Sequence, residues 1–551
     1  MRERPHRFKR QAAFGLIALL FVCALTSSAA TRADRPKGAR TPKPEKKKKS
    51  DPSEALFATN APIFTFKIDV TGAEWNELVK NNRAYVRSSV TVGPQKFPDV
   101  GVRLKGNGSF RPLNEKPSLV VKFDRYVPDQ EFHGQSKIAL NSSSQDSTYL
   151  ADFIANGLFA DADVPVSRVT HARVVLNGRE LGLYVLVEMH NKEFLKRWFH
   201  NSDGNLYEAY LADVDSNMDQ DNGNDITQKD RKHFAEVVKL PNAEERWAKL
   251  PEVLDVNRYV SHLACEIFTS HTDGYALNRN NYRIYHNPDT GRFTFLGHGV
   301  DWAFQNTGVP IKPPQNALVA KAVLSAPLGK KMFDERFRTL FTNAFRLEVL
   351  TNRVNMAVGR LVAHAQNPNE VKDFTRYGTE MNARLVGRWQ FITNKLYGPP
   401  PVQLAFDREG VARLSGWTNK TDRESKPARH DRVAEGSRRL LHITATNGPC
   451  VASWRTTVLL EPGKYIFEGD VRGEGIVAHT NHTVGVGAGL RLSGEKRTND
   501  TQMIVGDVPW HRFRYEIERL VEDDAVLVCE LRAMQGEVWF DEDSLRLIRK
   551  K

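Results

Sequence analysis

The chain has 551 residues, a formal net charge of +13 and four cysteines. This length exceeds what one hydrophobic core usually serves, so we expect two or three domains. Residues 1–33 contribute +5 and residues 34–50 contribute +6, which leaves about +2 for the rest of the chain. A nearly neutral body gives no support for nucleic-acid binding. The cysteines have no spacing typical of a zinc site, which excludes that class as well.

The N-terminus has the pattern of an export signal. A basic stretch precedes the 15-residue apolar run Ala12–Thr26, and small residues follow it. Such a run is short for a stable transmembrane helix, so we predict a signal peptide over residues 1–33, with an uncleaved membrane anchor as the alternative. No later apolar run approaches a membrane span. We therefore expect an exported protein without a transmembrane helix in its mature form, in the periplasm, outside the cell or at the cell surface.

Residues 34–55 are rich in proline and lysine and are predicted to be a disordered basic linker, either a plain spacer or a contact to an anionic envelope. Residues 56–398 then mix strand and helix patterns. A capping-box sequence at Thr71 predicts a helix start, and Asn177-Gly178 predicts a two-residue hairpin turn. The predicted elements in chain order are a strand at 63–70, a helix at 71–82, strands at 100–105 and 118–124, a helix at 147–159, a hairpin at 168–188, a helix at 255–270, a hairpin at 280–296 and helices over 316–398.

The C-terminal part has a different pattern of predicted secondary structure. Pro399-Pro400-Pro401 marks a boundary, and residues 403–551 contain short strand patterns separated by turn residues, which favours an antiparallel sandwich. Cys450 and Cys529 could pair across this sandwich or stay separately buried. The overall fold class predicted is α+β, with an all-β, jelly-roll-like domain at the C-terminus.

One loop carries the strongest chemical pattern. Asp273 follows the helix at 255–270, Asn278 lies five residues later, and Asp301 follows the next hairpin. Phosphoryl-transfer enzymes of the protein-kinase type use this order: the first Asp accepts the hydroxyl proton, and the Asn and the last Asp hold Mg²⁺. Carboxylate and amide oxygens are hard ligands that suit this ion. The alternative is a set of ordinary polar loop residues.

A kinase also requires cations for the phosphates of its nucleotide. Arg103, Lys105, Lys116 and Lys122 lie on or beside the two strands around the turn at residues 106–109. Lys122 is placed like a lysine on an inner strand beside a glycine-containing loop. Most lysines on such strands face water, so we expect one or two of the four to be functional.

Several segments together resemble the spore-coat CotH kinase family. They are residues 116–124, 177–188, 204–207, 273–282 and 298–302, in a consistent order between about residue 63 and residue 390. The resemblance implies an atypical protein-kinase-like fold over residues 56–398 and transfer of phosphate from ATP, with Mg²⁺ or Mn²⁺, to serine or threonine of an exported protein partner. It implies these roles: Asp273 as general base, Asn278 and Asp301 as metal ligands, and Asn281 at the metal and as support for that loop. It also implies Lys122 at the phosphates with Arg103 and Lys116 nearby, and Glu188 in the strand lining the nucleotide pocket.

Two departures from that family's pattern favour an alternative function. Gly299 occupies the place of an acid that many members carry, and the helix after Asp146 has Asp152 and no arginine where many members have Arg-Glu. The alternative is an inactive kinase-like envelope protein that binds carbohydrate or a protein partner. Residues 403–551 resemble carbohydrate-binding and galactose-binding-like modules in a generic way. Trp417, Trp454 or Trp510 could stack on a sugar of a polysaccharide, although core packing is the commoner fate of such residues.

A dense acidic stretch runs from Asp213 to Asp225, with oxygen-bearing side chains at alternate positions. It could hold Ca²⁺, or it could be a solvated loop, because its glycine does not fit an EF-hand. A glycosidase that used these acids is disfavoured, because such enzymes need two carboxylates fixed across a cleft.

Overall fold

The structure is a computed structural model. It describes residues 51–312, 315–398, 402–422, 428–446, 448–479, 486–494, 503–519 and 522–550. The predicted signal peptide, most of the predicted linker and the triple-proline boundary lie outside these residues. No helix within them is long and apolar enough to cross a membrane.

The first part of the fold is a closed seven-stranded barrel in the order β1-β2-β3-β4-β5-β7-β6. The pairing of β1 with β6 is parallel and closes the barrel, while the other pairs are antiparallel. Its core is made of aliphatic and phenylalanine side chains. The elements of this part are α1 (Glu54–Phe57), β1 (Phe64–Asp69), α2 (Gly72–Lys80), β2 (Val86–Val92), β3 (Gln95–Lys105), β4 (Ser118–Lys122), a short 3-10 turn (Phe123–Arg125), β5 (Lys137–Asn141), α3 (Ala151–Asp161), β6 (Val169–Leu176) and β7 (Arg179–Glu188).

Local sequence explains two connections in the barrel, the start of α2 and the β6–β7 turn. The Thr71 hydroxyl accepts a hydrogen bond from the Glu74 amide at 3.5 Å and so caps α2. Asn177 and Gly178 both have positive φ angles, 48° and 76°, as the tight β6–β7 hairpin requires. The Asn177 side chain also bonds both backbone groups of Val70, at 2.7 and 2.9 Å, which ties the hairpin to the end of β1.

The residues just before the barrel are ordered, which corrects the predicted linker boundary at residue 55. Ser53 and Asp51 accept hydrogen bonds from Arg168 at 2.6 and 2.9 Å, and Leu56 in α1 is fully buried. An apolar residue that enters the core and an ion pair with the barrel both oppose disorder. The folded part therefore begins by residue 51.

The second part packs helices around a small four-stranded sheet of order β11-β10-β8-β9 and shares one large core with α3. Its elements are α4 (Lys192–Trp198), β8 (Leu206–Glu208), β9 (Asp219–Asn222), α5 (Lys229–Val238), α6 (Ala243–Val253), α7 (Val256–Phe268), α8 (Tyr275–Asn278), β10 (Tyr282–Asn287), β11 (Arg292–Gly297), α9 (Leu318–Leu324), α10 (Pro327–Asn343), α11 (Leu347–Ala363) and α12 (Pro368–Tyr397).

Arg388 in α12 is fully buried and holds the region around the end of α7. Its guanidinium donates to the carbonyls of Ile267 and Phe268, at 2.5 and 3.4 Å, and to those of Thr307 and Val309, at 3.1 and 2.5 Å. The first two are among the last carbonyls of α7, which otherwise lack partners and carry the negative end of the helix dipole. Arg388 therefore fixes both chain segments that flank the loop at residue 273.

We expect Arg388→Met to lower the free energy of unfolding by about 3 kcal/mol, because four buried carbonyls lose a charged donor. Chemical denaturation followed by circular dichroism measures this change. The matched control is Arg338→Met on the exposed face of α10, which should change stability by less than about 0.5 kcal/mol. Equal effects of the two substitutions would contradict the role of Arg388.

The third part is built from strands around a separate core, as the sequence predicts. The long strand β21 hydrogen-bonds to β16, β17, β18 and β19. The strands are β12 (Val402–Gln403), β13 (Val411–Arg413), β14 (Thr418–Thr421), β15 (Ala428–Glu435), β16 (Arg438–Ala445), β17 (Cys450–Leu460), β18 (Gly463–Ala478), β19 (Gly487–Leu492), β20 (Gly506–Arg519), β21 (Asp523–Asp541) and β22 (Arg546–Arg549).

Cys450 and Cys529 lie in neighbouring strands and do not form a disulfide. Cys450 is opposite Ala533, and Cys529 is opposite Trp454, so the two cysteines are offset by four positions. At about 3.3 Å per residue the offset is roughly 13 Å, well beyond the Cα separation that a disulfide spans. Of the two alternatives, separately buried thiols is the one that the register supports.

Candidate functional site

The Asp273 carboxylate lies at the centre of a group of amides. It accepts hydrogen bonds from Nδ2 of Asn278 at 2.5 Å, of Asn280 at 3.1 Å and of Asn281 at 2.7 Å. Asn281 also donates to the backbone carbonyl of Asp273 at 3.1 Å. These hydrogen bonds fix the direction of the carboxylate. The three predicted residues of this loop are therefore brought together, and Asn280 joins them.

Buried side chains hold the loop itself. Glu266, near the end of α7, accepts hydrogen bonds from the amides of Tyr275 and Ala276 at 2.6 and 3.1 Å. Burial raises the pKa of Glu266 to about 7, and those two amides partly offset the effect. A Cβ at Gly274 would lie 2.4 Å from the Glu266 carboxylate, so only glycine fits between Asp273 and α8.

Asp301 belongs to a second group on the barrel side. Nδ2 of Asn141, at the end of β5, lies 3.5 Å from the Asp301 carboxylate and 3.4 Å from that of Asp152 in α3. Burial raises the pKa of Asp152 strongly, and the neighbouring charge of Asp301 raises it further, while Lys105 acts in the opposite direction. Two carboxylates that repel each other beside one lysine are a place where a cation would be stabilised.

His271 is close enough to both groups for the charges of Asp273 and Asp301 to act on it. It is 5% exposed, and neither ring nitrogen has a hydrogen-bond partner among the described residues. Burial lowers the pKa of His271 to about 4, although the charges of both Asp273 and Asp301 favour protonation. Asp273 and Asp301 therefore both lie near His271.

The donor set fits Mg²⁺ or Mn²⁺. Asp301 and Asp152 offer carboxylate oxygens, and Asn278 and Asn281 keep their amide oxygens because their nitrogens bind Asp273. These are hard oxygen ligands, and Mg²⁺ usually completes its octahedron with water and substrate phosphates. The described residues contain no group of three or more His, Cys, Asp or Glu that could hold a metal, so protein ligands alone would supply only part of the coordination.

The position of Asn281 explains why residue 299 is glycine. The φ angle of Gly299 is +61°, and a Cβ there would lie 2.5 Å from Oδ1 of Asn281. The Asn281 amide therefore occupies the space that an acidic side chain at position 299 would need. This contact also places Asn281, which binds Asp273, two residues from Asp301.

The residues predicted to bind the nucleotide do not lie together in the structure. They are Arg103, Lys116, Lys122 and Glu188. On β3 and β4, Arg103, Lys105 and Lys122 share the outer face of the barrel, but Lys105 is the one whose charge acts on Asp152. Lys122 is opposite Gly101, four positions along β3 from Lys105, and its nearest carboxylate is Asp124 at 3.9 Å. Lys105 rather than Lys122 is therefore the lysine whose charge acts on Asp152.

Lys116 and Glu188 are engaged elsewhere, which corrects their predicted placement. The Lys116 ammonium donates to the Tyr149 hydroxyl and the Leu183 carbonyl, both at 2.7 Å, and burial lowers its pKa to about 8. Glu188 is opposite Ile138 and shares the inner side of the barrel with it, so strand alternation turns it away from the face of Asn141. Its carboxylate forms ion pairs with Arg168 and Arg197 at 2.6 and 2.5 Å.

Asn141, Asp152 and Asn280 were given no role at the site from the sequence, and Lys105 was named only as one of four candidate cations. Period-2 alternation on β3 puts Arg103 and Lys105 on one face, so the pattern could have favoured Lys105 over Lys116, which precedes its strand. Asp152 was noted only as a departure from the family pattern. Asn141 carries no signal in the sequence, because its role depends on the pairing of β5 between β4 and β7.

The acidic stretch from 213 to 225 is divided among separate partners. Asp213 is buried and accepts hydrogen bonds from the Tyr275 hydroxyl at 2.7 Å and the Leu318 amide at 2.9 Å. Asp215 pairs with Lys239 and Asp221 with Arg283, and Asp225 accepts hydrogen bonds from the amides of Thr227 and Lys229. The structure therefore gives no support for the predicted Ca²⁺ site, and we do not propose one.

The predicted sugar-stacking residues are covered. Trp417 and Trp454 are 3% and 6% exposed and belong to the core of the third part. Trp510 is partly buried, with the guanidinium groups of Arg438 and Arg472 at 4.8 and 5.2 Å from its ring centre. Core packing and cation–π contacts, rather than an open ring face, therefore describe these three residues.

We expect Asp152→Asn to stabilise the metal-free protein at alkaline pH. The folded-state pKa of Asp152 is raised to about 8, above its ordinary value near 4, so its contribution to stability is present in acid and is lost as pH rises between about 4 and 8. Above pH 8 the free energy of unfolding of the variant should exceed that of the wild type by at least about 1.4 kcal/mol, the equivalent of one pKa unit. Thermal or chemical denaturation with chelator present measures the difference. Asp161→Asn, on the exposed side of α3, is the control. If the Asp152 substitution left the pH profile of stability unchanged, that result would contradict the raised pKa of Asp152 beside Asp301.

A strand barrel, a helical part with a carboxylate loop, and an all-β part make up an α+β fold. The family model described as CotH kinase protein matches residues 102–394, more than half of the chain. The chain belongs to this family.

Inner spore coat protein H of Bacillus subtilis (strain 168) is 24% identical over 227 residues, which are 38% of this chain and 59% of that protein. The match thus covers less than two thirds of the relative's length. Among solved structures, the Helicobacter pylori proinflammatory kinase CtkA is similar at a TM-score of 0.24 and 6% identity, over 48% of this chain and 94% of that chain. TmCBM61, solved in complex with β-1,4-galactotriose, is similar at a TM-score of 0.18 and 15% identity, over 25% of this chain and 91% of that chain. At these TM-scores neither structure carries an argument.

Proposed function

We propose that this protein is an exported phosphotransferase that moves the γ-phosphate of ATP to a serine or threonine hydroxyl of an exported or surface protein. The observation that carries the proposal is the joint placement of two groups: Asp273 held by three amides, and Asp301 paired with Asp152 beside Lys105. Family membership supports the reaction class, and the basic, apolar N-terminus supports export. The spore-coat relative supports a coat or surface location.

Each group has a role in the reaction. Asp273 accepts the proton of the acceptor hydroxyl as its oxygen attacks the γ-phosphorus, and the bond to the β,γ-bridging oxygen breaks to release ADP. The amides of Asn278, Asn280 and Asn281 hold the Asp273 carboxylate in a fixed direction. Lys105 supplies positive charge to the phosphates. Asp301, with Asp152 and the amide oxygens of the loop, would hold Mg²⁺ or Mn²⁺, which neutralises charge on the phosphates when bound.

The test is incubation of the purified full chain with ATP radiolabelled at the γ-phosphate, Mg²⁺ or Mn²⁺, and a generic serine-rich acceptor protein. We expect label on serine or threonine of the acceptor, and its loss when chelator is added. Nucleotide binding without any transfer to protein would reject the kinase reaction.

The alternative is an inactive kinase-like envelope protein, and Gly299 is the observation in its favour. Asn281 fills the place of the missing acid, however, and the Asp152–Asp301 pair supplies two carboxylates. Sugar binding by the third part is less supported, because the tryptophans that it would require are covered. Absence of phosphate transfer in the assay above, together with no nucleotide and no metal binding in equilibrium measurements, would leave this alternative.

A further inference from the structure

Lys116, two residues before β4, is a partly buried cation that the proposed reaction does not use. Its ammonium donates hydrogen bonds to the Tyr149 hydroxyl and the Leu183 carbonyl, both at 2.7 Å, and lies 4.7 and 5.0 Å from the ring centres of Tyr149 and Tyr184. No carboxylate in the described ranges forms an ion pair with it. Burial of an ammonium without a paired carboxylate costs free energy, and it lowers the pKa of Lys116 to about 8. A lysine kept at such a position indicates a role beyond packing.

Tyr149, the partner of Lys116, has a strained backbone. Its φ angle is +59°, in the left-handed region that bulky residues rarely adopt. Three contacts hold it there. Its carbonyl accepts a hydrogen bond from Nε2 of His171 at 2.8 Å, its amide donates to the Asp146 carbonyl at 3.3 Å, and its hydroxyl accepts from Lys116. Strain of this kind persists only where the surroundings impose it, and it is common at functional sites.

The position of Tyr149 sets the start of α3, the helix that carries Asp152. The Asp146 carboxylate accepts hydrogen bonds from the amides of Leu150 and Ala151 at 2.9 and 2.8 Å. The chain on both sides of Tyr149 is therefore one hydrogen-bonded unit that ends in the first turn of the helix. Asp152 lies in that turn, so a shift of Tyr149 would shift its carboxylate.

Ser118, two residues after Lys116, holds the other end of the same segment. Its hydroxyl donates to Oδ1 of Asn141 at 3.3 Å, and the amide nitrogen of Asn141 contacts the two carboxylates of the second group. Ser118 is also opposite Lys105 at the end of β3. The stretch from Lys116 to Ser118 thus contacts both ends of segment 141–149, beside the strand end that carries Lys105.

We infer that Lys116 is a positioning residue of the phosphotransfer site, because its contact with Tyr149 fixes where α3 places Asp152. This inference rests on the proposed phosphotransferase function. Asp152 must lie close to Asp301 and Lys105 if the two carboxylates are to hold a metal ion beside the phosphates. Lys116 acts on this arrangement through Tyr149, without touching nucleotide or metal. Residues that support metal ligands in this way change metal affinity or activity by a factor of about 10–100 when they are replaced.

The test is Lys116→Met in the full chain, with Mn²⁺ affinity measured by the paramagnetic resonance of free Mn²⁺ and transfer measured with labelled ATP. We expect Mn²⁺ affinity and kcat each to fall at least about tenfold, while KM for the acceptor protein changes less than about twofold, because the loop of Asp273 is untouched. A merely structural role would lower the thermal midpoint but not the Mn²⁺ affinity of the folded protein. The matched control is Lys67→Met, at an exposed position of β1, which should change none of these quantities.

A second substitution tests the path through Tyr149. Tyr149→Phe removes the hydroxyl that accepts from Lys116 and keeps the ring. We expect it to weaken Mn²⁺ affinity as well. Because the two substitutions remove the same contact, the effect of Lys116→Met should be at least about threefold smaller in the Tyr149→Phe background than in the wild type. Fully additive effects, or wild-type Mn²⁺ affinity in Lys116→Met, would overturn the inference.

The outcomes separate this inference from the proposed function. If the wild type transfers phosphate and both variants match it in rate and Mn²⁺ affinity, Lys116 has no positioning role and the proposed function stands. If the wild type transfers no phosphate to protein, both fail. Should Lys116→Met not fold, Tyr149→Phe decides alone, and unchanged Mn²⁺ affinity in that variant would reject the role of Lys116.

Discussion

Asp273→Asn should lower the rate of phosphate transfer by a factor of about 10²–10⁴, the usual contribution of a positioned general base. The substitution keeps the size of the side chain and removes the only charge that the three surrounding amides share. The expected loss is in kcat, with little change in nucleotide affinity, since Asp273 acts on the acceptor hydroxyl. Initial rates with labelled ATP and equilibrium nucleotide binding measure the two quantities.

The control for this substitution is Asp289→Asn, in the turn between β10 and β11. Asp289 lies 3.3 Å from the exposed His200 and contacts no residue of the site. Its variant should keep wild-type activity. A fully active Asp273→Asn protein would remove the general base from the mechanism.

Asp301→Asn should weaken Mn²⁺ binding at least tenfold and lower transfer by at least a factor of about 10². The charge of Asp301 acts on both His271 and Asp152, and its carboxylate lies 3.5 Å from Nδ2 of Asn141. A loss of ligand charge reduces affinity for a divalent cation. The rate as a function of Mn²⁺ concentration shows whether excess metal restores part of the activity. We expect partial restoration in Asp301→Asn and none in Asp273→Asn, because only the first defect is in metal affinity.

Asp215→Asn is the matched control for metal binding. Asp215 belongs to the acidic stretch and pairs with the exposed Lys239 at 3.1 Å. Its variant should bind Mn²⁺ like the wild type. A tenfold loss in Asp215→Asn instead would move the metal to the acidic stretch and contradict the assignment of Asp301.

Local signals in the sequence predicted much of the fold. Thr71 begins α2, Asn177-Gly178 turns the β6–β7 hairpin, and the apolar period of α7 places its end just before Asp273, all as the structure has them. Each of these depends on neighbours a few residues away. The motif formed by Asp273, Asn278 and Asp301 could likewise be recognised from the sequence, because its residues are close together in the chain.

What the sequence could not provide depends on contacts between distant segments. Closure of the barrel requires β1 to pair in parallel with β6, about a hundred residues later. The choice of Lys105 over Lys122 depends on the placement of α3 and Asp152 over the outer face. The inward turn of Glu188 depends on the register of β7 with β5, and the separation of Cys450 from Cys529 on the register of β17 with β21.

The most direct measurement is the anomalous scattering of Mn²⁺ in crystals of the full chain grown with a non-hydrolysable ATP analogue. The proposed site predicts a peak about 2.0–2.2 Å from a carboxylate oxygen of Asp301, with an amide oxygen of Asn278 or Asn281 or a carboxylate oxygen of Asp152 and phosphate oxygens completing the shell. Manganese bound elsewhere, with Asp301 free of metal while the analogue occupies the cleft, would contradict it.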